Sequence, residues 1–328
     1  MSRSLIVLPD DTAQPLLDAL AAAQRSIRIK MFIFTDPALL DAVKAARARG
    51  VDVRVMLNPA RRSGEAENEA SRAALVAAGV SVADSHPVFE VTHEKSMVVD
   101  GEVAYVMSLN WDRDNVTRAR DYAVVTHHRH EVDEIVACFD ADWNRQAFDP
   151  GGDTHLIWCN LNGRNRIARF IDLAEHSLFL ENERYQDEVI IERLARAAHR
   201  GVKLHVLARP VHTLKHAKLV EGVEGLRILH DVGARVHRLR HLKLHAKMML
   251  ADGKRAIIGS INFAPGSFDH RRELAIEVHD PHVIERLAHT AHEDWENSHK
   301  LDLSDEGLLR DLNDDAAREL ALRTDTEP

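Results

Sequence analysis

The alternation of hydrophobic and polar positions repeats along the chain with an offset of about 151 residues. The series of strand, amphipathic helix and glycine from Ser26 to Gly50 recurs from Ser177 to Gly201. In each copy an apolar, alternating strand closed by proline follows the glycine, at Val51–Pro59 and at Val202–Pro210. The repeat predicts an α/β fold of two similar lobes, each a mixed β-sheet flanked by helices.

The join between the two copies falls at residues 149–153, because Asp-Pro-Gly-Gly-Asp does not suit the interior of a helix or a central strand. A helix closes each half, at about residues 128–146 and 281–298, with an Asp-Trp pair at matching places. The predicted domains are an N-terminal lobe of residues 1–149, a C-terminal lobe of residues 150–300, and an acidic helical tail of residues 301–328.

Composition excludes a small cross-linked scaffold and a disordered chain. The 328 residues are 45% hydrophobic and 29% charged, which is ordinary for a soluble globular protein. The apolar run Leu5–Leu8 is too short for a signal peptide or a membrane span, and Cys138 and Cys159 cannot form a disulfide framework. These features predict a cytoplasmic protein.

The charge is unevenly distributed. The net charge is −9, and residues 301–328 alone hold nine acidic residues and three arginines. The remainder of the chain is close to neutral and shows no global basic excess. Because phosphate neutralisation dominates non-specific binding to nucleic acid, a nucleic-acid substrate is less favoured, although a local basic groove stays open.

A polar motif occurs once in each half. Its members are His93, Lys95, Asp100, Ser108 and Asn110 in the first copy, and His245, Lys247, Asp252, Ser260 and Asn262 in the second. Residues i and i+2 of a strand share a face, so each histidine and its lysine point together, and a buried ammonium is costly unless it is paired. A solvated strand edge would explain one copy, but the recurrence predicts a cleft that holds an anion.

This pattern, HxK-x4-D-x6-GSxN found twice, resembles the phospholipase D superfamily of phosphodiesterases over about residues 5–300. The second copy is complete, whereas the first has Met107 at the usual glycine. The resemblance implies two phospholipase D-like lobes related by a pseudo-twofold axis, with one active site between them. It implies neither a metal nor a cofactor, because the lysines supply the positive charge.

The residue types are suited to phosphodiester cleavage in two steps. One neutral imidazole attacks phosphorus to form a phosphohistidine, and the other donates a proton to the leaving oxygen. By analogy with family members that carry two motifs, His93 is the nucleophile and His245 the acid. Lys95, Lys247, Asn110 and Asn262 are expected to hold the phosphoryl oxygens, with Ser108 and Ser260 close by.

Two carboxylates complete the predicted catalytic set. Asp121 lies 28 residues after His93, and Glu273 lies 28 residues after His245. In the family, a carboxylate at this place accepts a hydrogen bond from the other ring nitrogen of a histidine, which fixes its tautomer and orientation.

The substrate is less well defined by the sequence. Trp111, Phe263 and Phe268 either ring the mouth of the cleft, as binding groups for an acyl chain or a base, or pack in the core. Arg238, Arg240 and Lys243 form either a positive rim for a phosphate-bearing ligand or a solvated strand face. The stretch Glu181–Tyr185 looks like the ENQY stretch of phospholipid-cleaving members and favours a lipid.

Weaker signals have simpler explanations. His127, His128 and His130, and His237, His241 and His245, have spacings that a metal could use, but no recognisable ligand set completes them. Arg61–Arg62 and Asn162–Arg164 are turn-like basic sites before helices, which either bind an anion or cap a helix.

The predicted function is a phospholipase D-type phosphodiesterase that hydrolyses or transfers phosphatidyl groups of phospholipids, with water or an alcohol as acceptor and peripheral contact with a membrane. The alternatives are a nuclease using the same two-histidine mechanism, a cardiolipin-synthase-like phosphatidyl transferase, and a non-catalytic phosphate-binding scaffold. A single chain carries both motifs, so one active site needs no dimer, and the oligomeric state is open.

Overall fold

The computed structural model describes residues 2–60, 64, 66–152, 154–209 and 219–307. The first half contains strands β1 (Arg3–Leu8), β2 (Ser26–Met31), β3 (Asp52–Leu57), β4 (Ser81–Asp84), β5 (Val91–Thr92), β6 (Ser96–Val99), β7 (Val103–Met107) and β8 (Ala119–Thr126), with helices α1 (Gln14–Ala22), α2 (Pro37–Ala48), α3 (Glu69–Ala77), α4 (Arg113–Arg118) and α5 (Arg129–Trp143). The second half contains strands β9 (Leu156–Trp158), β10 (Ser177–Asn182), β11 (Lys203–Ala208), β12 (Arg235–Leu239), β13 (Lys243–Leu244), β14 (Met248–Ala251), β15 (Arg255–Gly259), β16 (Arg271–Arg272), β17 (Leu274–Val278) and β18 (Ser298–Lys300), with helices α6 (Gly163–Asp172), α7 (Glu188–His199), α8 (Leu219–Asp231), α9 (Pro265–Asp269) and α10 (Pro281–Glu296).

Each half forms a mixed sheet with the same strand order. In the first, β2, β3 and β4 are parallel, and β6, β7, β8 and β1 continue from β2 in antiparallel pairs. In the second, β10, β11 and β12 are parallel, and β14, β15, β17 and β9 continue from β10 in antiparallel pairs. The predicted α/β fold of two similar lobes is confirmed.

Helices α2 and α7, which are equivalent in the two halves, have the same capping residues at their two ends. The side chain of Asp36 accepts a hydrogen bond from the N–H of Leu39 at the start of α2, and Asp187 does the same for Ile190 at the start of α7. Gly50 and Gly201 follow these helices with φ of 93° and 92°, a conformation that favours glycine. The same local signals therefore start and stop the same helix in both halves.

Three hydrophobic cores hold the layers together. Helices α1 to α3 cover one face of the first sheet, and α6 to α8 cover one face of the second. The remaining faces meet in a shared core that also takes side chains from α5 and α10. Because this core is apolar and contains strands of both halves, the two lobes are fixed against each other.

The two halves also exchange backbone hydrogen bonds. The short strand β5 pairs with β16 of the other half, at Arg271 opposite Val91. Reciprocally, β13 pairs with β8, at Lys243 opposite Ala119. Each of these short strands ends just before a histidine of the polar motif, so the exchange sets the geometry of the site.

No helix or strand lies between α5 and β9 among the residues described there, and the join at 149–153 stays a prediction. The C-terminal boundary at residue 300 is less sharp than predicted. Leu301 and Leu303 are buried in the core of the second half, and the N–H of Leu301 donates to the carbonyl of Val236. Residues 308–328 of the predicted tail lie outside the described part of the chain.

Candidate active site

The first histidine–lysine pair lies between β5 and β6. The N–H groups of His93 and Glu94 both donate to the carbonyl of Arg272 at 2.9 Å. Lys95 Nζ donates to the carbonyl of His93 at 2.6 Å. Backbone atoms of the second half therefore position this pair.

The second pair lies between β13 and β14 and has the reciprocal arrangement. The N–H groups of His245 and Ala246 donate to the carbonyl of Arg120 at 3.3 and 2.9 Å, and Lys247 Nζ donates to the carbonyl of His245. Both histidines and both lysines are largely buried.

Each histidine is hydrogen-bonded to the carboxylate of the opposite half. His93 Nδ1 donates to Glu273 Oε2 at 3.0 Å, and His245 Nδ1 donates to Asp121 Oδ1 and Oδ2 at 2.9 and 3.0 Å. Because an ionised carboxylate only accepts hydrogen bonds, Nδ1 carries the proton in this assignment. Nε2 is then the ring nitrogen available for chemistry, and neither half can form the arrangement alone.

Burial and positive charge favour a neutral His93. Burial, followed by Lys95 and Lys247, lowers the pKa of His93 well below its usual value, and Arg271 and His245 add to the effect. Burial also raises the pKa of Glu273, and burial and Lys247 lower the pKa of Lys95 well below its usual value. An anion bound between the lysines would relieve their mutual repulsion.

The two asparagines have unused hydrogen-bonding capacity. Asn110 and Asn262 are buried, and the side-chain oxygen of each has no hydrogen-bond partner among the described residues. Asn110 Nδ2 lies 3.5 Å from Asn115 Oδ1, and Asn115 Nδ2 donates to Asp121 Oδ2 at 2.8 Å. Buried amides with vacant positions are suited to bind a ligand.

The two serines contact the protein itself. Ser108 Oγ donates to Asp121 Oδ1 at 2.6 Å and accepts from the N–H of Tyr122 at 2.8 Å. Ser260 Oγ accepts from the N–H of Leu274 at 3.1 Å. Both serines are fully buried, so these hydroxyls position Asp121 and the neighbouring strands, and their predicted place close to the substrate stays a prediction.

The aspartates of the motif form turns outside the site. Asp252, at φ 54°, accepts hydrogen bonds from the N–H groups of Glu175, His176 and Ser177 at 2.8 to 3.0 Å. Asp100, at φ 55°, binds the turn before β2 in the same way. Burial opposes ionisation, but these hydrogen bonds outweigh it and lower the pKa of both carboxylates.

Met107 leaves the geometry of the first motif intact. Its side chain is buried in the first core, and the N–H of Ser108 donates to the carbonyl of Tyr122 at 2.9 Å, as Ser260 does to Leu274. At Gly259 a Cβ atom would lie 2.3 Å from the carbonyl oxygen of Leu274. Glycine is therefore required in the second copy only.

The aromatic residues next to the asparagines belong to the cores. Trp111 packs edge-on against Phe34 in the first core, with ring centroids 4.8 Å apart. Phe263 and Phe268 lie in the second core. All three are almost fully buried, so the core explanation holds, and the proposed place at the mouth of the cleft is corrected.

The basic run before the second motif follows the edge of the second sheet. Arg238 donates to His299 and Arg240 to the carbonyl of Ser298, both on the outermost strand β18, and Lys243 pairs with Asp114. The structure thus ties these cations to the protein surface rather than to either motif.

The stretch Glu181–Tyr185 contributes a site residue that the sequence did not single out. Glu183 Oε2 accepts from Lys247 Nζ at 2.6 Å and lies 3.8 Å from His245 Nε2, while Oε1 accepts from Arg209 at 2.8 Å. Burial alone would raise its pKa, but Lys247, His245 and Arg209 hold the pKa well below its usual value. The only sequence signal was the departure from ENQY at this position.

The corresponding position of the first half is aromatic. Phe32 lies edge-on to His93 with ring centroids 4.9 Å apart, and Lys95 Nζ lies 5.1 Å from the centre of its ring. His93 thus faces an aromatic ring where His245 faces a carboxylate. The two histidines are inequivalent despite the pseudosymmetry.

Buried ion pairs also cross between the halves beneath the site. Arg272 donates to both oxygens of Asp142 at 3.1 and 2.9 Å, and Arg120 donates to both oxygens of Asp294 at 2.7 and 2.9 Å. The repeated Asp-Trp pair of the sequence supplies both aspartates. Bidentate pairs of this kind fix position as well as charge.

The described residues contain one cluster with the donor types of a metal site, Glu94, Cys138 and Asp142. Lys30 Nζ lies among these atoms, at 3.0, 3.2 and 2.7 Å respectively. An ammonium group therefore occupies the position that a cation would take.

The weaker sequence signals lie elsewhere. Asn162 stands at the N-cap of α6 without a side-chain cap hydrogen bond, and its Oδ1 accepts from the N–H of Trp158 instead. Arg164 pairs with Asp187 and Asp269. His237 stacks on Trp295 at 4.0 Å. Arg61 and Arg62 lie outside the described residues. Among the helices that the structure describes, none has the length and apolar character needed to cross a bilayer.

Comparison with known proteins shows the family of the chain. The family model described as "Cardiolipin synthase, PLD-like domain" matches twice, at residues 16–143 and 167–295. Cardiolipin synthase B of Shigella flexneri is 25% identical, with 82% of this chain and 74% of that protein covered. The protein is therefore a two-lobed α/β enzyme with one HxK motif in each lobe. The chain belongs to the phospholipase D superfamily.

Two solved structures share the fold. Phosphatidylserine synthase of Haemophilus influenzae has a TM-score of 0.74 at 10% identity, covering 98% of this chain and 94% of that one. Polyphosphate kinase of Porphyromonas gingivalis has a TM-score of 0.68 at 18% identity, covering 89% of this chain and 50% of that one, so this chain spans about half of that enzyme.

Proposed function

We propose that the protein is a phosphatidyl transferase that moves the phosphatidyl group of a phospholipid to an alcohol, or to water, through a phosphohistidine. The observation that carries the proposal is the pair of crossed hydrogen bonds from His93 to Glu273 and from His245 to Asp121. The similarity to cardiolipin synthase B over most of both chains supports a phospholipid substrate and transfer to an alcohol. Action on a lipid requires peripheral contact with a membrane.

In the first step the lone pair of His93 Nε2 attacks phosphorus as the bond from phosphorus to the leaving oxygen breaks. Protonated His245 gives its Nε2 proton to that oxygen, so the headgroup leaves as an alcohol. Asp121, bound to Nδ1 of His245, and Glu183, near its Nε2, stabilise the His245 imidazolium. Lys95 and Lys247 supply the positive charge that balances the phosphoryl oxygens.

In the second step neutral His245 takes a proton from the acceptor hydroxyl, whose oxygen attacks phosphorus. The phosphorus–nitrogen bond breaks, and His93 is released neutral. The inequivalent surroundings of the two histidines support this division of roles. His93 lies beside the ring of Phe32, and burial lowers its pKa, which favours the neutral form that a nucleophile needs.

The test is a side-by-side assay of the purified protein, with EDTA present, on phosphatidylglycerol vesicles with added ethanol and on single-stranded and duplex DNA. Formation of phosphatidylethanol is expected. Samples denatured in alkaline detergent during turnover, in which the acid-labile phosphorus–nitrogen bond survives, should carry the substrate's phosphorus on the peptide containing His93, and label on the His245 peptide would reverse the roles. DNA cleavage without lipid turnover would contradict the proposed substrate and indicate a nuclease.

A further inference from the structure

The second half adds three arginines near the site that the first half lacks. At corresponding positions of the repeat, the pairs are Arg184 with Ile33, Arg209 with Asn58, and Arg271 with Ala119. Since the catalytic groups themselves occur in both halves, the extra cations are not required by the two-histidine arrangement alone.

One of the three is already neutralised within the protein. Arg209 pairs with Glu183 at 2.8 Å, and Glu183 also accepts from Lys247. The other carboxylates of the site, Asp121 and Glu273, are bound by the two histidines. The carboxylates of the site therefore already have partners other than Arg184 and Arg271.

Arg184 and Arg271 have fewer partners within the protein. No carboxylate of the described residues forms an ion pair with the guanidinium of Arg184. Arg271 Nη1 forms a long ion pair with Glu273 Oε1 at 3.9 Å and donates to Ser267 Oγ at 3.4 Å, whereas Arg271 Nε is buried without a hydrogen-bond partner among the described residues. A guanidinium has five donors in a planar fork, so most of this capacity is vacant.

Both arginines adjoin the catalytic groups. Arg271 Nη1 lies 3.9 Å from Glu273, whose other oxygen accepts from His93 Nδ1, and Arg184 directly follows Glu183, which lies 3.8 Å from His245 Nε2. Burial, together with Arg271 and Arg209, lowers the pKa of Arg184 although Glu183 and Glu273 oppose the shift. Arg271 is among the groups that lower the pKa of His93. Like charges held together at a partly buried position are unfavourable unless an anion is bound there.

We propose that Arg184 and Arg271 form a second anion subsite beside His93, which binds a phosphate group of the substrate other than the phosphodiester that reacts. The inference rests on the proposed function and narrows its substrate class. A diester with a single negative charge occupies the Lys95–Lys247 position, which leaves Arg184 without an ion-pair partner among the described residues and Arg271 with only its 3.9 Å contact to Glu273. A lipid or other diester with a second phosphate places one phosphate between the lysines and the other at the arginines, because planar guanidinium groups bind phosphate through two parallel hydrogen bonds.

The test measures binding by calorimetry, which requires no turnover. Methylphosphonate is compared with methylene-, ethylene- and propylene-bisphosphonate, which present a second anionic group at increasing distance. At least one bisphosphonate is expected to bind about tenfold more tightly than methylphosphonate, the effect of one additional charge-assisted contact.

Variants assign that preference to the subsite. Arg184→Gln and Arg271→Gln should each lose most of the preference while keeping methylphosphonate affinity within about threefold. Arg196→Gln removes a cation on the exposed face of α7, where Arg196 pairs with Glu192, and should change neither value. If Arg184→Gln does not fold by circular dichroism, Arg184→Lys, which keeps the charge without the planar fork, should still show a reduced preference.

The possible results separate a failure of the subsite from a failure of the proposed function. If no bisphosphonate binds more tightly than methylphosphonate, or if the preference survives in the folded Arg184 and Arg271 variants, the subsite is wrong while the phosphate site stands. If neither methylphosphonate nor any bisphosphonate binds, or if Lys95→Met and Lys247→Met leave methylphosphonate binding unchanged, the proposed phosphate site fails and this inference with it.

Discussion

Replacing Asp121 by asparagine tests whether a carboxylate from the first half sets the tautomer of the histidine in the second. In the wild type both carboxylate oxygens accept from His245 Nδ1, at 2.9 and 3.0 Å. Asparagine retains one acceptor, and its NH₂ group now faces the imidazole or Ser108 Oγ, which lies 2.6 Å from Oδ1. The change removes the negative charge with almost no change of volume.

Two effects determine the magnitude. The imidazolium loses its fully buried counter-charge, and the alternative tautomer with the proton on Nε2 becomes competitive, so His245 is a poorer base in the second step. Comparable substitutions in a hydrogen-bonded carboxylate–histidine pair lower kcat by roughly 10²–10⁴. This range corresponds to about 3–5 kcal/mol in the activation free energy.

The assay uses bis(p-nitrophenyl) phosphate, because its phenol leaves without a proton from His245. Asp121→Asn should therefore keep a rapid burst of one equivalent of nitrophenol and lose the steady-state rate. Glu273→Gln, which disturbs the nucleophile His93, should slow the burst itself. Asp133→Asn, at an exposed ion pair on α5, should behave as wild type.

The reasoning would be refuted if Asp121→Asn kept more than about a tenth of the steady-state kcat. A slowed burst in Asp121→Asn together with an intact burst in Glu273→Gln would instead exchange the roles of the two histidines. Either result is read from the same progress curves.

Three further predictions concern the scaffold. Lys30→Met leaves two buried carboxylates without their ammonium partner and should lower the free energy of unfolding by about 3–5 kcal/mol in urea titrations, whereas the half-exposed Lys44→Met should change it by less than about 0.5 kcal/mol. Because the folded-state pKa of Asp252 lies below 3.8, its carboxylate stabilises the fold above that pH, so the stability difference between wild type and Asp252→Asn should shrink as the pH falls below 3.8. Gly259→Ala places a Cβ atom 2.3 Å from a backbone carbonyl oxygen and should lower the free energy of unfolding by about 1–3 kcal/mol. Met107→Ala only removes core volume, so it should lower the unfolding temperature but leave the burst rate unchanged, because Ser108 keeps its position. Thermal unfolding and the burst rate of both variants measure these effects.

Local patterns in the sequence predicted much of the architecture, because they repeat at short range. The capped helices after Asp36 and Asp187 and the closing glycines follow from backbone preferences within a few residues, and the structure has the same ends. The aromatic residues beside the asparagines could not be decided locally, since burial of Trp111 depends on a core assembled from distant segments.

The crossing of the site depends on long-range contacts. His93 and Glu273 are 180 residues apart, and His245 and Asp121 are 124 apart. The spacing of 28 residues indicated which carboxylates take part, but a spacing within one half cannot show that each carboxylate serves the other half. That pairing follows from the shared apolar core and the exchanged strands β5 and β13.

The sequence by itself determined the repeat, the fold class and the residue types of the two motifs, because these follow from periodicity and from the chemistry of side chains a few positions apart. Only the tertiary structure decided that Glu183 faces His245 while Phe32 faces His93, and that Arg271 lies beside the Glu273–His93 pair with a buried Nε that has no hydrogen-bond partner among the described residues. The physical reason is that charge and burial at a site are sums over segments brought together by folding.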